Sequence, residues 1–233
     1  MKINKILISI MMVLSTAGII FAIVFFIASQ NNAKSLYSET IQKTVEIRCC
    51  NNEGVIGYAT GTVISNDGLI LTNKHVVMNN GAGNSIEVRF YNEANFISAN
   101  IVKVAESQDI ALIKINRETP NYFKFAKNIS GGESVYTFGN PNGFGLSFSE
   151  GVVSSPLREI EYSGQKFLVV QTSLVINEGN SGGPLINNKG EIIGLVSFRL
   201  RDKQGDIIQG VSFGLHNLII QEFLLNYNAF SND

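Results

Sequence analysis

Ser181 sits in the run Gly179-Asn180-Ser181-Gly182-Gly183-Pro184-Leu185, just ahead of the apolar pair Leu185-Ile186. Glycines on both sides permit backbone dihedrals closed to other residues and leave peptide N–H groups bare beside the hydroxyl. Such a turn suits a nucleophile. A serine hydroxyl is weakly nucleophilic unaided, so the chemistry needs a general base and an acid that orients it. Both occur upstream. His75 ends an apolar run in Thr72-Asn73-Lys74-His75-Val76-Val77, and Asp109 starts the strand-like Asp109-Ile110-Ala111-Leu112-Ile113-Lys114-Ile115. In that scheme His75 takes the Ser181 proton and returns it to the leaving amine, while Asp109 holds the imidazole in the right tautomer. Each residue also has an ordinary reading, as a turn serine, a core or surface histidine, or a strand-end aspartate. The other histidine, His216, has no nucleophile motif near it.

The chain order His, Asp, Ser is that of the chymotrypsin arrangement. The three segments together resemble the trypsin-like serine peptidases of the HtrA/Deg type, whose motifs read roughly TNxHV, Asp-(Ile/Leu)-Ala and GNSGGPL. Gly139-Asn140-Pro141 and Ser149-Glu150-Gly151-Val152-Val153-Ser154 are similar to two further segments of that family, and the likeness runs over about residues 45–215. The resemblance implies a catalytic His75, Asp109 and Ser181. It implies an oxyanion hole at Gly179, Asn180 and Ser181, built on the backbone N–H groups of Gly179 and Ser181. It places a substrate pocket at Val175, six residues before the nucleophile, with Ile176, Val196, Ser197 and Ser212 as further wall residues. These side chains also suit a core. An apolar pocket of this kind favours small or medium aliphatic residues before the cut bond, with broad selectivity. No metal and no cofactor is implied. Trypsin carries an aspartate where this chain has Asn180, which has no charge to pair with a new N-terminus, so activation by zymogen cleavage is not expected. Glu178 stands where the family commonly has a proline or a basic residue. Activity would depend on ordering of the loops around residues 139–147 and 177–179.

The elements that must position these residues are short β-like runs separated by Gly, Asn and Asp. A first group of about six covers 45–50, 55–64, 69–72, 85–91, 96–105 and 110–115, with Asn66-Asp67-Gly68 as a hairpin turn. A looser stretch, 116–130, leads to a second group at 134–138, 146–154, 165–172, 183–186, 191–198 and 207–212. This pattern predicts an all-β protein of two six-stranded, chymotrypsin-like barrels, about 45–116 and 131–213, within a protease domain spanning 45–228. Leu218, Ile219, Phe223 and Leu224 recur at helical spacing, so 214–228 reads as a terminal helix. Too few residues follow it for the peptide-binding PDZ module common in HtrA proteins.

The N-terminus carries a separate signal. Lys2 and Lys5 precede an uncharged apolar run from Ile6 to Ala28, 23 residues long. That exceeds the ~7–15 residues of a signal-peptide core and meets the ~20 needed to span a bilayer. No small-x-small cleavage site follows. Residues 1–28 therefore read as a signal anchor and transmembrane helix, with the lysines inside and the protease domain outside the cell membrane; 29–44 read as a polar linker with room for a helical turn around Leu36 to Gln42. A cleaved secretory signal is the alternative. The formal charge of −1 offers no footprint for nucleic acid. Cys49 and Cys50, the only cysteines, are adjacent in a strand-like stretch, which opposes a disulfide and lacks the company a metal site needs. One is expected buried and the other partly exposed.

The expected function is that of a membrane-anchored, extracytoplasmic serine endopeptidase acting on exported or misfolded polypeptides. The alternatives are a regulated protease with one dedicated substrate, or a chaperone-like module that holds peptides in the same cleft. By resemblance the chain could form a homo-oligomer, a trimer in particular.

Overall fold

The computed structural model describes residues 2–78, 85–162, 164–201, 204 and 207–228. The chain divides into two compact units, Met1–Ser38 and Glu39–Asp233. Helix α1 runs Lys2–Thr40 and is followed by a 3₁₀ turn, Ile41–Lys43. The linker expected over 29–44 is therefore largely helical. No glycine or proline lies between Gly18 and Gly54, so nothing halts the helix where the sequence turns polar. The side chains of residues 2–9 and 24–32, which hold both ends of the expected 1–28 span, lie outside the described residues. Among the described residues no helix is long and apolar enough to cross a membrane.

The second unit holds two closed, antiparallel, six-stranded barrels, as the strand spacing predicts. The first comprises β1 (Thr44–Asn51), β2 (Gly54–Val63), β3 (Leu69–Thr72), β4 (Ser85–Phe90), β5 (Ile97–Val104) and β6 (Ala111–Lys114). They close in the order β1-β2-β3-β6-β5-β4, and a short helix α2 (Lys74–Met78) follows β3. Alternation sets the interior. In β4, Ile86, Val88 and Phe90 are buried while Glu87 and Arg89 reach outward. In β1 the same rule sends Val45, Ile47 and Cys49 into the core and leaves Cys50 partly exposed, with neither cysteine in a disulfide.

The second barrel comprises β7 (Ser134–Gly139), β8 (Ser147–Tyr162), β9 (Gln165–Thr172), β10 (Pro184–Ile186), β11 (Ile192–Arg201) and β12 (Ile207–His216). Its ring order is β10-β11-β12-β9-β8-β7, around Val135, Val170, Leu185 and Val196. Strand β8 runs eight residues past the end of the apolar pattern over 146–154. Beyond Ser154 it continues as a two-stranded ribbon of mixed polar and apolar residues paired with β9, from Arg158↔Val169 to Tyr162↔Gln165. The register shifts between Ser155 and Arg158 accommodate Pro156, which has no N–H for a ladder.

Strand β12 likewise runs on through Gly214 and Leu215, paired with Val170 and Val169, so helix α3 (Asn217–Asn228) starts three residues later than its sequence suggests. His216 caps it. The buried imidazole accepts the Leu218 N–H at Nδ1, 3.1 Å away, as an N-cap side chain does for the second helical residue. Burial holds its pKa below the ordinary histidine value of 6.5, and a hydrogen bond to the Pro156 backbone opposes that shift. A depressed folded pKa means the stability is fully present above the unfolded value and is lost as pH falls toward the folded one, because only the unfolded chain takes the proton. His216→Asn keeps a cap acceptor without titrating there. Its melting temperature is expected to fall less than that of the parent between pH 7.5 and about 5.5. Equal falls would show that His216 contributes nothing to the acid sensitivity.

Candidate active site

Pairing within the first barrel assembles the base and its orienting acid. Strands β3 and β6 run antiparallel with Thr72 opposite Ala111, so the end of one lies beside the start of the other. His75 follows Thr72 by three residues and Asp109 precedes Ala111 by two. The His75 ring donates from Nδ1 to Asp109 Oδ2 at 2.8 Å, and the His75 backbone N–H donates to Asp109 Oδ1 at 3.0 Å. Both carboxylate oxygens thus serve one histidine, which fixes the ring's tilt as well as its tautomer. Asn73 extends the arrangement. Its Nδ2 donates to the Asp109 carbonyl at 2.9 Å and to Ser197 Oγ at 2.8 Å, tying the acid's loop to the second barrel. Lys74, which has no role in the sequence reading, donates to the Glu106 carbonyl at 2.7 Å in the same loop.

Ser181 comes from the second barrel, on the loop ahead of β10. The loop opens with a turn closed by the Asn180 N–H on the Asn177 carbonyl at 3.1 Å. Gly179, third in that turn, has φ +95°, as a type II turn requires. Gly182 has φ +81°, and a Cβ there would stand 2.2 Å from the Thr60 carbonyl oxygen. Strand β2 of the first barrel clamps this loop. The Thr60 N–H donates to the Ser181 carbonyl at 2.9 Å, Thr60 Oγ1 to the Gly179 carbonyl at 2.7 Å, and Thr62 Oγ1 to the Gly182 carbonyl at 2.9 Å. Among the described residues no main-chain acceptor takes the N–H of Gly179 or of Ser181. Asn180 is buried at 5% exposure, and its Oδ1 has no hydrogen-bond partner among the described residues. A carboxylate there would be a buried charge without a donor, so the neutral amide is the species this site tolerates.

Thr60 Oγ1 also accepts the Asn140 N–H at 3.0 Å, so one hydroxyl joins β2 to both the 139–143 and the 177–180 loops. Thr60→Val keeps the shape and removes both bonds. The expected cost is about 1–3 kcal/mol of stability, with slower turnover. Urea unfolding and a peptide assay check it; no change in either would show that other contacts hold the loop.

His75, Gly179 and Ser181 line one cleft of 450 Å³, together with Tyr58, Asn142 and Glu178. The five residues expected to form the pocket are not among its lining. Val175 is 55% exposed on the surface, whereas Ile176 at 8% and Val196 at 0% belong to the second barrel's core. Ser212 is buried against the Thr172 hydroxyl at 2.7 Å, and Ser197 is the partner of Asn73. Thr60, Thr62 and Asn73 have no assigned role in the sequence reading. Their signal was present, as polar residues interrupting the apolar strands Gly54–Val63 and Leu69–Thr72 or directly following one.

A trypsin-like peptidase domain family matches residues 59–195, more than half of the chain. The chain belongs to the trypsin-like serine peptidases of the HtrA/Deg type. It is 35% identical over 180 residues to serine protease HTRA1A of Danio rerio, across 74% of this chain and 35% of that protein. It is 33% identical over 161 residues to the serine endoprotease DegS of Haemophilus influenzae, across 67% of this chain and 46% of that protein. This peptidase thus spans between a third and a half of the length of those relatives. Its fold is shared with an HtrA-type protease, AlgW, solved with a tripeptide. The TM-score is 0.71 at 23% identity, covering 82% of this peptidase and 61% of that chain.

Proposed function

We propose that this chain is a membrane-anchored, extracytoplasmic serine endopeptidase that cuts exported or misfolded polypeptides through an acyl-enzyme. The observation that carries the reading is the His75–Asp109 pair at 2.8 Å opening into the cleft that Ser181 also lines. As Ser181 Oγ bonds to the substrate carbonyl carbon, its proton passes to the free nitrogen of His75. The carbonyl oxygen takes the negative charge beside the Gly179 and Ser181 N–H groups. The C–N bond then breaks, and His75 hands the proton to the leaving amine. Water, deprotonated in turn by His75, releases the new carboxyl end and restores the hydroxyl. Of the apolar residues 174–176 only Val175 is exposed to a substrate, and it favours an aliphatic residue on the acyl side.

Anchoring is supported by helix α1. The described large apolar side chains between Ile10 and Ile23 are exposed around the helix, Phe21 at 73%, a pattern suited to lipid rather than to a half-buried surface helix. At 1.5 Å per residue the run from Ile6 to Ala28 is about 34 Å long, enough for a ~30 Å hydrocarbon layer.

The test is digestion of unfolded casein by the full chain in detergent micelles, beside Ser181→Ala. Serine-dependent cuts after aliphatic residues are the expected result. Intact casein, with no labelling of Ser181 by a fluorophosphonate, would leave the fold as a peptide-holding module.

A further inference from the structure

The loop that leads to Asp109 walls a second cavity, of 440 Å³, which shares no lining residue with the cleft around Ser181. Small-ligand sites occupy about 300–1,000 Å³. One wall is formed by residues 103–108, from the end of β5 to the residue before Asp109, and the other by Ile219, Glu222 and Phe223 of α3. Hydrogen bonds hold both walls in place. The Ala105 N–H donates to the Ile110 carbonyl at 3.0 Å, and Lys74 holds the Glu106 carbonyl. Lys103 Nζ donates to the Phe223 carbonyl at 3.0 Å and stands 4.7 Å from the centre of the Phe223 ring, joining the loop to α3.

The lining is short of one positive charge. It carries two carboxylates, Glu106 and Glu222, and one ammonium, that of Lys103, whose hydrogen bond is spent on α3. Among the described residues neither carboxylate forms an ion pair. Gln108, on the same lining, has its Oε1 buried with no donor among the described residues, a costly state for an acceptor. Val104, Ala105, Ile219 and Phe223 add apolar surface. A divalent metal ion does not suit these walls. It takes six or more oxygen ligands, and among the described residues no group of three His, Cys, Asp or Glu stands together. An organic cation does suit them, with its stem on the apolar wall and its N–H groups directed to the carboxylates and the amide oxygen. A guanidinium offers five such donors on one planar head.

We propose that this cavity binds a guanidinium or ammonium group on a short aliphatic stem, carried either by a free small amine or by an arginine or lysine side chain of a polypeptide. The bound group lies against the chain neighbour of Asp109, and it leaves the cleft around Ser181 open.

The experiment titrates n-butylguanidinium calorimetrically into the full chain in detergent micelles, with the neutral n-butylurea as its matched control. Ser181→Ala is used throughout, so the result does not depend on whether the parent cuts peptides. The cation is expected to bind with a Kd of about 0.1–1 mM, as a ligand of so few atoms allows, and the urea at least tenfold more weakly. Glu222 is exposed on α3, so Glu222→Gln keeps the fold, and it should weaken the cation about threefold to fivefold, the strength of an exposed ion pair. Glu178→Gln, which alters the other cleft, should leave the Kd unchanged. Acetyl-Gly-Arg-Gly-amide separates the two sources: tighter binding than the free cation marks a polypeptide side chain, and weaker binding marks a small amine. No binding at about 10 mM cation, equal affinity for the urea, or a Kd that responds to Glu178→Gln and not to Glu222→Gln would overturn the site.

Discussion

Replacing Asp109 by asparagine is expected to lower turnover by about 10⁴ and leave the fold in place. The geometry explains so large a loss from exchanging one oxygen for an amide. Both carboxylate oxygens accept from His75, one from the backbone N–H and one from ring Nδ1. An amide offers one acceptor and one donor group, so it can satisfy only one of the two. With its oxygen on the backbone N–H, the NH₂ faces Nδ1 and forces the ring proton to the other nitrogen, the one that must accept from Ser181. With the amide reversed, the NH₂ opposes the backbone N–H and the helix-initiating segment must move. Turnover of a peptide substrate, with thermal melting as the control for folding, checks the result. Activity within tenfold of the parent would remove Asp109 from the mechanism.

Gly179→Ala is expected to damage the site from the other side. A Cβ there would lie 2.0 Å from the Asn140 carbonyl oxygen, on a backbone with φ +95°. A left-handed non-glycine residue alone costs about 1–3 kcal/mol, and the backbone contact adds to it. The turn relieves both by rotating the peptide before residue 179, which aims the oxyanion donor away. Loss of one such donor lowers kcat by about 10²–10³, so the variant should retain its barrels, melt earlier and turn over slowly. Parent-like rates would mean that the Gly179 N–H is not an oxyanion donor.

The strand pattern was legible because it rests on side-chain alternation, a local property of each run. Ile86, Val88 and Phe90 alternate inward in the structure as in the sequence. The ribbon beyond Ser154 was not, since Pro156 and the charged Arg158, Glu159 and Glu161 interrupt the apolar alternation that marks the other strands. Helix α1 was read in its apolar part and in a turn around Leu36 to Gln42, not as one continuous element; the absence of a breaker between Gly18 and Gly54 was the signal for the join. In the site, glycines around Ser181 and the polar insertions at His75 and Asp109 marked the reacting groups. Contacts made across barrels left no local trace. Thr60 reaching Gly179, and Asn73 reaching Ser197, join residues more than a hundred positions apart. The pocket assignment suffered for the same reason, because an apolar residue such as Val196 reads alike whether it walls a cavity or fills a core.

The clamp from β2 onto the serine loop bears on when this molecule becomes dangerous. A ribosome finishes the first barrel, with His75 and Asp109 already in place, well before it reaches residue 181. Thr60 and Thr62 then hold out hydrogen-bonding groups whose acceptors have not yet been made. The nucleophile is oriented only once the late strands close and dock on the early ones. A growing chain, or one stalled partway, therefore carries a base with nothing to activate, and neighbouring proteins are safe from it until folding is complete.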